Sequence, residues 1–156
     1  MRSILVIDDK DDVRSFISMA LTSFGFNIRQ AHDGDTAIQM IVEEKPDLII
    51  CDVNMPGMDG YEILSAVRAS SVTAAIPFIL MTGLISPNGF RRAMIAGADD
   101  YLVKPFSPDD LVDSVMSRLV RRVDFQVEAE QRARKTFEFV RPKLPAFSAD
   151  ALAATV

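Results

Sequence analysis

Short runs of apolar residues recur along the chain, and longer amphipathic segments separate them. Four runs, at residues 4–7, 48–51, 78–81 and 101–103, are continuously apolar, which is typical of parallel strands covered on both faces. A weaker run lies at residues 27–31. The pattern therefore predicts five short strands.

The amphipathic segments predict helices. The first has an apolar stripe at helical spacing and is expected to end before Gly25; the stripe is Val13, Phe16, Ile17, Ala20, Leu21 and Phe24. Further helices are predicted at about residues 35–44, 60–69 and 87–96, the last ended by Gly97. Four methionines fall at helical positions that predict core packing: Met19, Met40, Met94 and Met116.

A fifth helix has the clearest start signal. Ser107 can cap it and Pro108 suits its first turn, where Asp109 and Asp110 favour the positive end of the helix dipole. Strand and helix thus alternate five times, which predicts right-handed crossovers in a parallel α/β sheet. Ligands bind such sheets beyond the carboxyl ends of the strands, so the residues that follow each strand are candidates for chemistry.

Polar residues directly follow four of the predicted strands. Asp8 and Asp9 follow the first, Asp52 the third, Thr82 the fourth and Lys104 the fifth. Crowded carboxylates disfavour one another's ionisation unless a cation neutralises them, and oxygen ligands indicate Mg²⁺ rather than Zn²⁺. Mg²⁺ keeps waters and accepts phosphate oxygens, so the pattern predicts phosphoryl chemistry, with Lys104 and Thr82 holding phosphoryl oxygens.

Each of these residues also has a simpler interpretation. Asp8 and Asp9 could cap a helix, Lys104 could be a surface lysine, and Thr82 could belong to a turn. Only their common position at strand ends favours a shared site.

Composition narrows the class of protein. The 156 residues suit one domain with a tail. Seventeen Lys and Arg against 22 Asp and Glu give a net charge of -5, which would repel a nucleic-acid backbone. The lone Cys51 cannot form an internal disulfide and is expected to be a small buried hydrophobe. His32 is expected at the surface. With no signal-like or membrane-spanning run in the sequence, we expect a cytoplasmic location.

These residues, with "MPGMDG" after the central acid and "YLVKPF" at the last strand, resemble the receiver domain of bacterial two-component response regulators. The resemblance covers about residues 1–121 and implies a flavodoxin-like (βα)5 doubly wound parallel sheet in strand order 2-1-3-4-5. It also implies that the chain is a phosphoacceptor rather than an enzyme. Its expected partner is a sensor histidine kinase or a histidine phosphotransfer protein.

The resemblance assigns a role to each site residue. It implies that Asp52 is the phosphoacceptor and that Asp9 and Asp52 bind Mg²⁺ through their carboxylates. Asn54 would contribute its backbone carbonyl, and Asp8 would act mainly through bound water. The Lys104–Pro105 bond is expected to be cis.

The resemblance also implies a switch. Thr82 and Lys104 would contact the phosphoryl group, and Tyr101 would turn inward when Thr82 shifts, although an aromatic residue in a strand is ordinarily packing. The signal would leave through the face of helix 4, strand 5 and helix 5. In such domains the side chains two places after the acceptor and two places after the threonine influence how water reaches the acyl phosphate. The apolar Leu84 cannot orient water, although Asn54 could, and we predict a fairly long-lived phosphoryl group.

Helical character continues beyond the predicted domain. A heptad-like stripe comprises Val112, Val115, Leu119, Val123 and Val127, and Glu128 and Arg132 form a favourable i, i+4 pair. We therefore predict a receiver at residues 1–121 and an extended helix with a linker or tail at residues 122–156. The helix either frays or joins an output domain or a second copy. The end of the chain soon after it favours a fragment over a single-domain regulator.

Two other classes of function remain as alternatives. A haloacid-dehalogenase-type phosphatase also uses an Asp nucleophile and Mg²⁺, but it expects an acid two places after the nucleophile, where this chain has Asn54. A phosphorylation-independent docking module would predict a damaged acidic site, and here the acids are intact.

Overall fold

A computed structural model describes residues 1–140, except for the side chains of residues 121–126 and 136–140. Five strands and five helices alternate in this part of the chain. The strands are β1 Ser3–Ile7, β2 Asn27–Ala31, β3 Leu48–Asp52, β4 Phe78–Thr82 and β5 Asp100–Val103. The helices are α1 Asp11–Thr22, α2 Gly34–Glu43, α3 Gly60–Ala69, α4 Gly89–Ala96 and α5 Pro108–Val140.

All the strands pair in parallel in one sheet of order β2-β1-β3-β4-β5. This confirms the predicted flavodoxin-like α/β fold with an additional C-terminal helical extension. The register places Ile7 beside Cys51, and Asp52 beside Met81. The polar residues at the carboxyl ends of β1, β3, β4 and β5 therefore meet at one edge of the sheet.

The sheet divides the core into two layers. Because successive strand residues point to opposite faces, Leu5 and Ile49 pack with α2, α3 and α4, while Ile4 and Ile50 pack with α1 and α5. This double coverage explains the continuously apolar runs of β1, β3 and β4. The residues of β5 are only half-buried, because β5 lies at an edge of the sheet.

Several residues predicted for the core are exposed. The first helix ends at Thr22, so Phe24 continues the helical spacing but lies in the following turn and is exposed. Phe16 is partly exposed and contacts Phe106, with 6.2 Å between the ring centroids. Met19 is 76% exposed and Met116 is 43% exposed, so the prediction of core packing for these two methionines was wrong.

Helix termini follow their predicted capping signals. The Ser107 hydroxyl oxygen accepts a hydrogen bond from the Asp110 amide at 3.0 Å, at the start of α5. Gly97 ends α4 with a φ of 97°, in the left-handed region that favours glycine. The Lys104–Pro105 peptide bond is cis, as expected.

Contacts within the chain separate Met1–Leu119 from the residues that follow. Val115 and Leu119 of the heptad-like stripe are buried in the layer beneath α5, whereas Val127 is exposed. The Val123 side chain and residues 141–156 lie outside the described residues, so the predicted tail stays a prediction. No helix in the described part of the chain has the length and apolarity to cross a membrane.

Arg68 of α3 has a largely buried side chain. It connects α3 to the segment before β4 and to the segment between α4 and β5. Its guanidinium donates hydrogen bonds to four groups at 2.6–3.0 Å: the carbonyls of Ala74, Ile76 and Gly97 and the carboxylate of Asp99.

We predict that Arg68→Ala lowers the free energy of unfolding by about 2–3 kcal/mol, because it removes a charged hydrogen-bond donor from this network. Arg68→Lys should recover only part of that loss, because an ammonium cannot reproduce the planar fork of donors. The measurement is urea denaturation, with the exposed Arg91→Ala as the matched control. Equal stability of Arg68→Ala and Arg91→Ala would contradict the prediction.

Candidate functional site

Three carboxylates meet at the carboxyl edge of the sheet. Asp8 and Asp9 follow β1, Asp52 ends β3, and one oxygen of each lies within 4.8 Å of the others. Asp8 is fully buried and Asp52 is 4% exposed, whereas Asp9 is exposed. The cluster thus contains two buried acids and one that solvent reaches.

Lys104 at the end of β5 bridges the two buried acids. Its Nζ donates to Oδ2 of Asp8 at 2.8 Å and to Oδ1 of Asp52 at 3.0 Å. Burial alone would lower the pKa of Lys104, but the hydrogen bonds to the two carboxylates outweigh it and raise that pKa. Lys104 therefore stays charged at neutral pH.

The single positive charge of Lys104 does not neutralise the three carboxylates. Burial raises the pKa of Asp52, and the charge of Asp8 raises it further, although the hydrogen bond from Lys104 acts in the opposite direction. Three carboxylates and one ammonium leave excess negative charge in a partly desolvated site. A bound cation would relieve this imbalance.

The acids fit a metal ion with hard, oxygen-preferring chemistry. Both oxygens of Asp8 already accept protein hydrogen bonds, because Oδ1 takes the amide of Lys10 at 2.9 Å and Oδ2 takes Lys104. Asp9 and Asp52 are the carboxylates better placed for direct ligation. The cluster of Asp8, Asp9 and Asp52 could therefore hold a divalent cation.

The loop after Asp52 is held close to the end of β3. Gly57 takes a φ of 75°, which suits a glycine. At Gly60 a β-carbon would collide with the backbone carbonyl of Asp52, and its amide donates to the carbonyl of Val53 at 3.0 Å. This loop contains Asn54 and returns the chain to α3.

Thr82 and Tyr101 lie on a second side of the site. Both line a cavity of about 180 Å³ with Asn54 and Leu84. The hydroxyl of buried Thr82 accepts a hydrogen bond from the Leu84 amide at 3.1 Å. The predicted residues thus fall into two groups: Asp8, Asp9, Asp52 and Lys104 form the acidic cluster, and Asn54, Thr82 and Tyr101 line the cavity. The amide of Lys104 donates to the carbonyl of Thr82 at 2.7 Å and joins the two groups.

The remaining sequence predictions have simple outcomes. Cys51 is buried and its thiol contacts the carbonyl of Asp52 at 3.3 Å, which confirms the prediction of a small buried side chain. His32 is at the surface, as predicted, and its Nε2 lies 3.0 Å from the carboxylate of Asp33.

Sequence reasoning missed Arg14. This residue of α1 donates from Nη1 to the carbonyl of Asp8 at 2.6 Å and pairs with Asp11. It thereby restrains the peptide that joins Asp8 to Asp9. No local signal in the sequence distinguishes Arg14 from an ordinary surface arginine of a helix.

The family model for the response regulator receiver domain matches residues 4–116. The chain belongs to this family. Receiver domains are the phosphoacceptor components of two-component systems, generally without enzymatic activity of their own, and they use Mg²⁺ and a histidine kinase partner.

Individual relatives agree with this assignment. The chain is 35% identical over 120 residues to the phosphate regulon transcriptional regulatory protein PhoB of Pseudomonas aeruginosa, covering 77% of this chain and 52% of PhoB. It is similar to the solved structure of the chemotaxis protein CheY4 of Vibrio cholerae, with a TM-score of 0.71 and 34% identity. The match covers 75% of this chain and 98% of CheY4. The Francisella response regulator 1452 receiver domain gives a TM-score of 0.73 and 31% identity. That match covers 78% of this chain and 99% of the Francisella domain.

The chain spans about half the length of the curated relatives it matches. The similarity therefore concerns the receiver module that these relatives share with it.

We predict that Mg²⁺ stabilises this receiver, because a cation that binds only the folded chain shifts the folding equilibrium. At free Mg²⁺ a hundredfold above the dissociation constant, the free energy of unfolding should rise by about 2.7 kcal/mol. Asp9→Asn should remove most of this increase. The control variant Asp35→Asn, which changes an exposed residue of α2, should retain it. Thermal denaturation with Mg²⁺ or with a chelator measures the effect, and equal increases in both variants would contradict it.

Proposed function

We propose that this receiver accepts a phosphoryl group on Asp52 from the phosphohistidine of a sensor histidine kinase or a histidine phosphotransfer protein. The observation that supports this role most directly is the position of Asp52. Its buried carboxylate lies beside Asp9 and 3.0 Å from the ammonium of Lys104, at the carboxyl edge of a parallel sheet. The proposed nucleophile thus lies beside acids that could hold a cation and beside an ammonium that could bind a phosphoryl oxygen.

In the proposed reaction, a carboxylate oxygen of Asp52 attacks phosphorus and forms a P–O bond. The P–N bond to the kinase imidazole breaks, and that imidazole leaves with the electron pair. Mg²⁺, when held by Asp9, Asp52 and the Asn54 backbone carbonyl, with Asp8 acting through water, would neutralise phosphoryl oxygens. Lys104 is placed to donate to another phosphoryl oxygen.

Transfer of the phosphoryl group would change the hydrogen bonding of Thr82. Its hydroxyl now contacts the backbone of Leu84. A phosphoryl oxygen is a charged and stronger acceptor, so it would draw the hydroxyl toward Asp52 and release the Leu84 amide. The loop after β4 would then shift, and Tyr101 would turn inward. This is a population shift between two packings of the same elements.

We propose that the face formed by α4, β5 and α5 carries the signal to a downstream partner or to a second copy of the receiver. The extended helix offers a second possible route to a homodimer. By analogy with PhoB, whose name describes a transcriptional regulator, the output would affect transcription through a part outside residues 1–121. The net charge of -5 disfavours direct nucleic-acid binding by this chain itself. We place the protein in the cytoplasm, where receiver domains usually act.

The alternatives have less support. The chain matches the receiver-domain family model, and Asn54 stands where the haloacid-dehalogenase phosphatases expect their second acid. A docking module that works without phosphorylation does not require the ion pairs of Lys104 with Asp8 and Asp52, and both are intact here.

We expect the chain, incubated with Mg²⁺ and acetyl phosphate, to gain one phosphoryl group by intact mass. Asp52→Asn should gain none, because it lacks the nucleophilic oxygen, while the matched control Asp35→Asn should behave as wild type. Beryllofluoride should bind with the same dependence on Asp52. Sustained turnover of a phosphate ester would instead indicate a phosphatase, and an unmodified wild-type chain would indicate the docking module.

The phosphoryl group is expected to be long-lived, because the apolar side chain of Leu84 cannot orient a water molecule. Leu84 is 67% exposed and lines the cavity beside Thr82. We predict that Leu84→Asn accelerates autodephosphorylation several-fold, short of the roughly 100-fold that a general base supplies. The neighbouring variant Ile85→Asn is the matched control, because Ile85 is also exposed. The hypothesis is wrong if the decay of the phosphorylated mass is unchanged in Leu84→Asn.

A further inference from the structure

A cation–π contact joins α3 to α4. The guanidinium carbon of Arg92, in the middle of α4, lies 4.1 Å from the ring centroid of Tyr61, in the first turn of α3. Tyr61 directly follows Gly60, which packs against the backbone of Asp52. The contact therefore connects α4 to the end of the loop that begins at the proposed phosphoacceptor.

The same two residues line the cavity that Thr82 and Tyr101 share. Burial raises the pKa of the Tyr61 hydroxyl, and the charge of Arg92 acts in the opposite direction. These opposing effects agree with a partly desolvated ring beside a cation. Tyr61 and Arg92 thus bound the space beneath α4 from the side of α3.

Tyr101 also contacts α4 and lines the same cavity. A β-carbon at Gly89 would lie 2.5 Å from the Tyr101 hydroxyl oxygen, so glycine permits this close approach. The Phe90 ring meets the Tyr101 ring edge-on, with 6.5 Å between the centroids. The position of α4 therefore decides how much room Tyr101 has.

Few other contacts hold α4 in place. Only Gly89 and Ala93 are buried in this eight-residue helix, and a glycine and a single methyl group bury little apolar area. Met94 is partly buried and packs against the core, and Arg68 donates to the carbonyl of Gly97 at the end of the helix. Phe90 and Ile95 are 60% and 77% exposed. The cation–π contact therefore belongs to a small set of contacts that attach α4 to its neighbours.

We propose that the Tyr61–Arg92 contact is a latch that restrains α4 over the Thr82–Tyr101 cavity, and that activation of the receiver has to break it. The opposition to activation rests on the proposed function, because it assumes that phosphorylation at Asp52 moves α4. The restraint of α4 by the Tyr61–Arg92 contact does not depend on the proposed function. A cation–π pair at an exposed site corresponds to about a two- to fivefold change in an equilibrium.

Hydrogen exchange tests the restraint without any phosphoryl group. Arg92→Leu and Tyr61→Leu should each raise the exchange rate of the α4 amides about two- to fivefold. Tyr61→Phe should leave it near wild type, because a phenyl face also attracts a cation. Arg91→Leu is the matched control, because Arg91 is exposed on the same helix. The double variant Tyr61→Leu/Arg92→Leu should exchange no faster than the single variants, since both remove one contact.

Beryllofluoride binding tests the opposition to activation. In the presence of Mg²⁺, Arg92→Leu and Tyr61→Leu should bind beryllofluoride about two- to fivefold more tightly than wild type, and Arg91→Leu should bind with unchanged affinity. Faster exchange without tighter binding would overturn the proposal that the latch opposes activation. Exchange unchanged relative to Arg91→Leu would overturn the latch itself. A wild-type chain without an Asp52-dependent adduct would overturn the proposed function and the link to activation, while exchange would still decide whether the restraint exists.

Discussion

The site depends on the burial of two carboxylates beside a single ammonium. Asp8 and Asp52 lose hydration at the ends of neighbouring strands, and Lys104 donates to both. The pKa of Asp52 is nevertheless raised, chiefly by burial, so the lysine does not fully compensate for the lost water. The excess negative charge favours a cation at the cluster of Asp8, Asp9 and Asp52.

The parallel sheet makes this arrangement possible, because it brings the carboxyl ends of β1, β3, β4 and β5 to one edge. From that edge, two sets of contacts lead to α4. One passes from Thr82 through the shared cavity to Tyr101, and the other passes from the loop after Asp52 to Tyr61 and Arg92. In the proposed switch, a small rearrangement at the acids would act on α4 through these contacts.

Most of the fold could be predicted from hydrophobic periodicity, and the errors have physical causes. The helical spacing of apolar residues continues in the sequence through Phe24, but α1 ends two residues earlier, at Thr22. Met19 lies at a helical spacing yet faces solvent. The apolar run of β5 is half-buried because it lies at an edge. Periodicity indicates a face of an element and does not show how completely another element covers it.

Local chemistry in the chain was enough to predict the element types, their order, and the polar residues Asp8, Asp9, Asp52, Thr82 and Lys104 at the strand ends. These features depend on neighbours along the chain, such as continuous apolar runs, apolar residues at helical spacing and capping side chains. The sharing of Lys104 between two acids, the bond from Arg14 to the Asp8 carbonyl, and the Tyr61–Arg92 contact emerged only from the folded structure. Long, flexible side chains have many possible partners, and the packing of elements distant in the sequence selects among them.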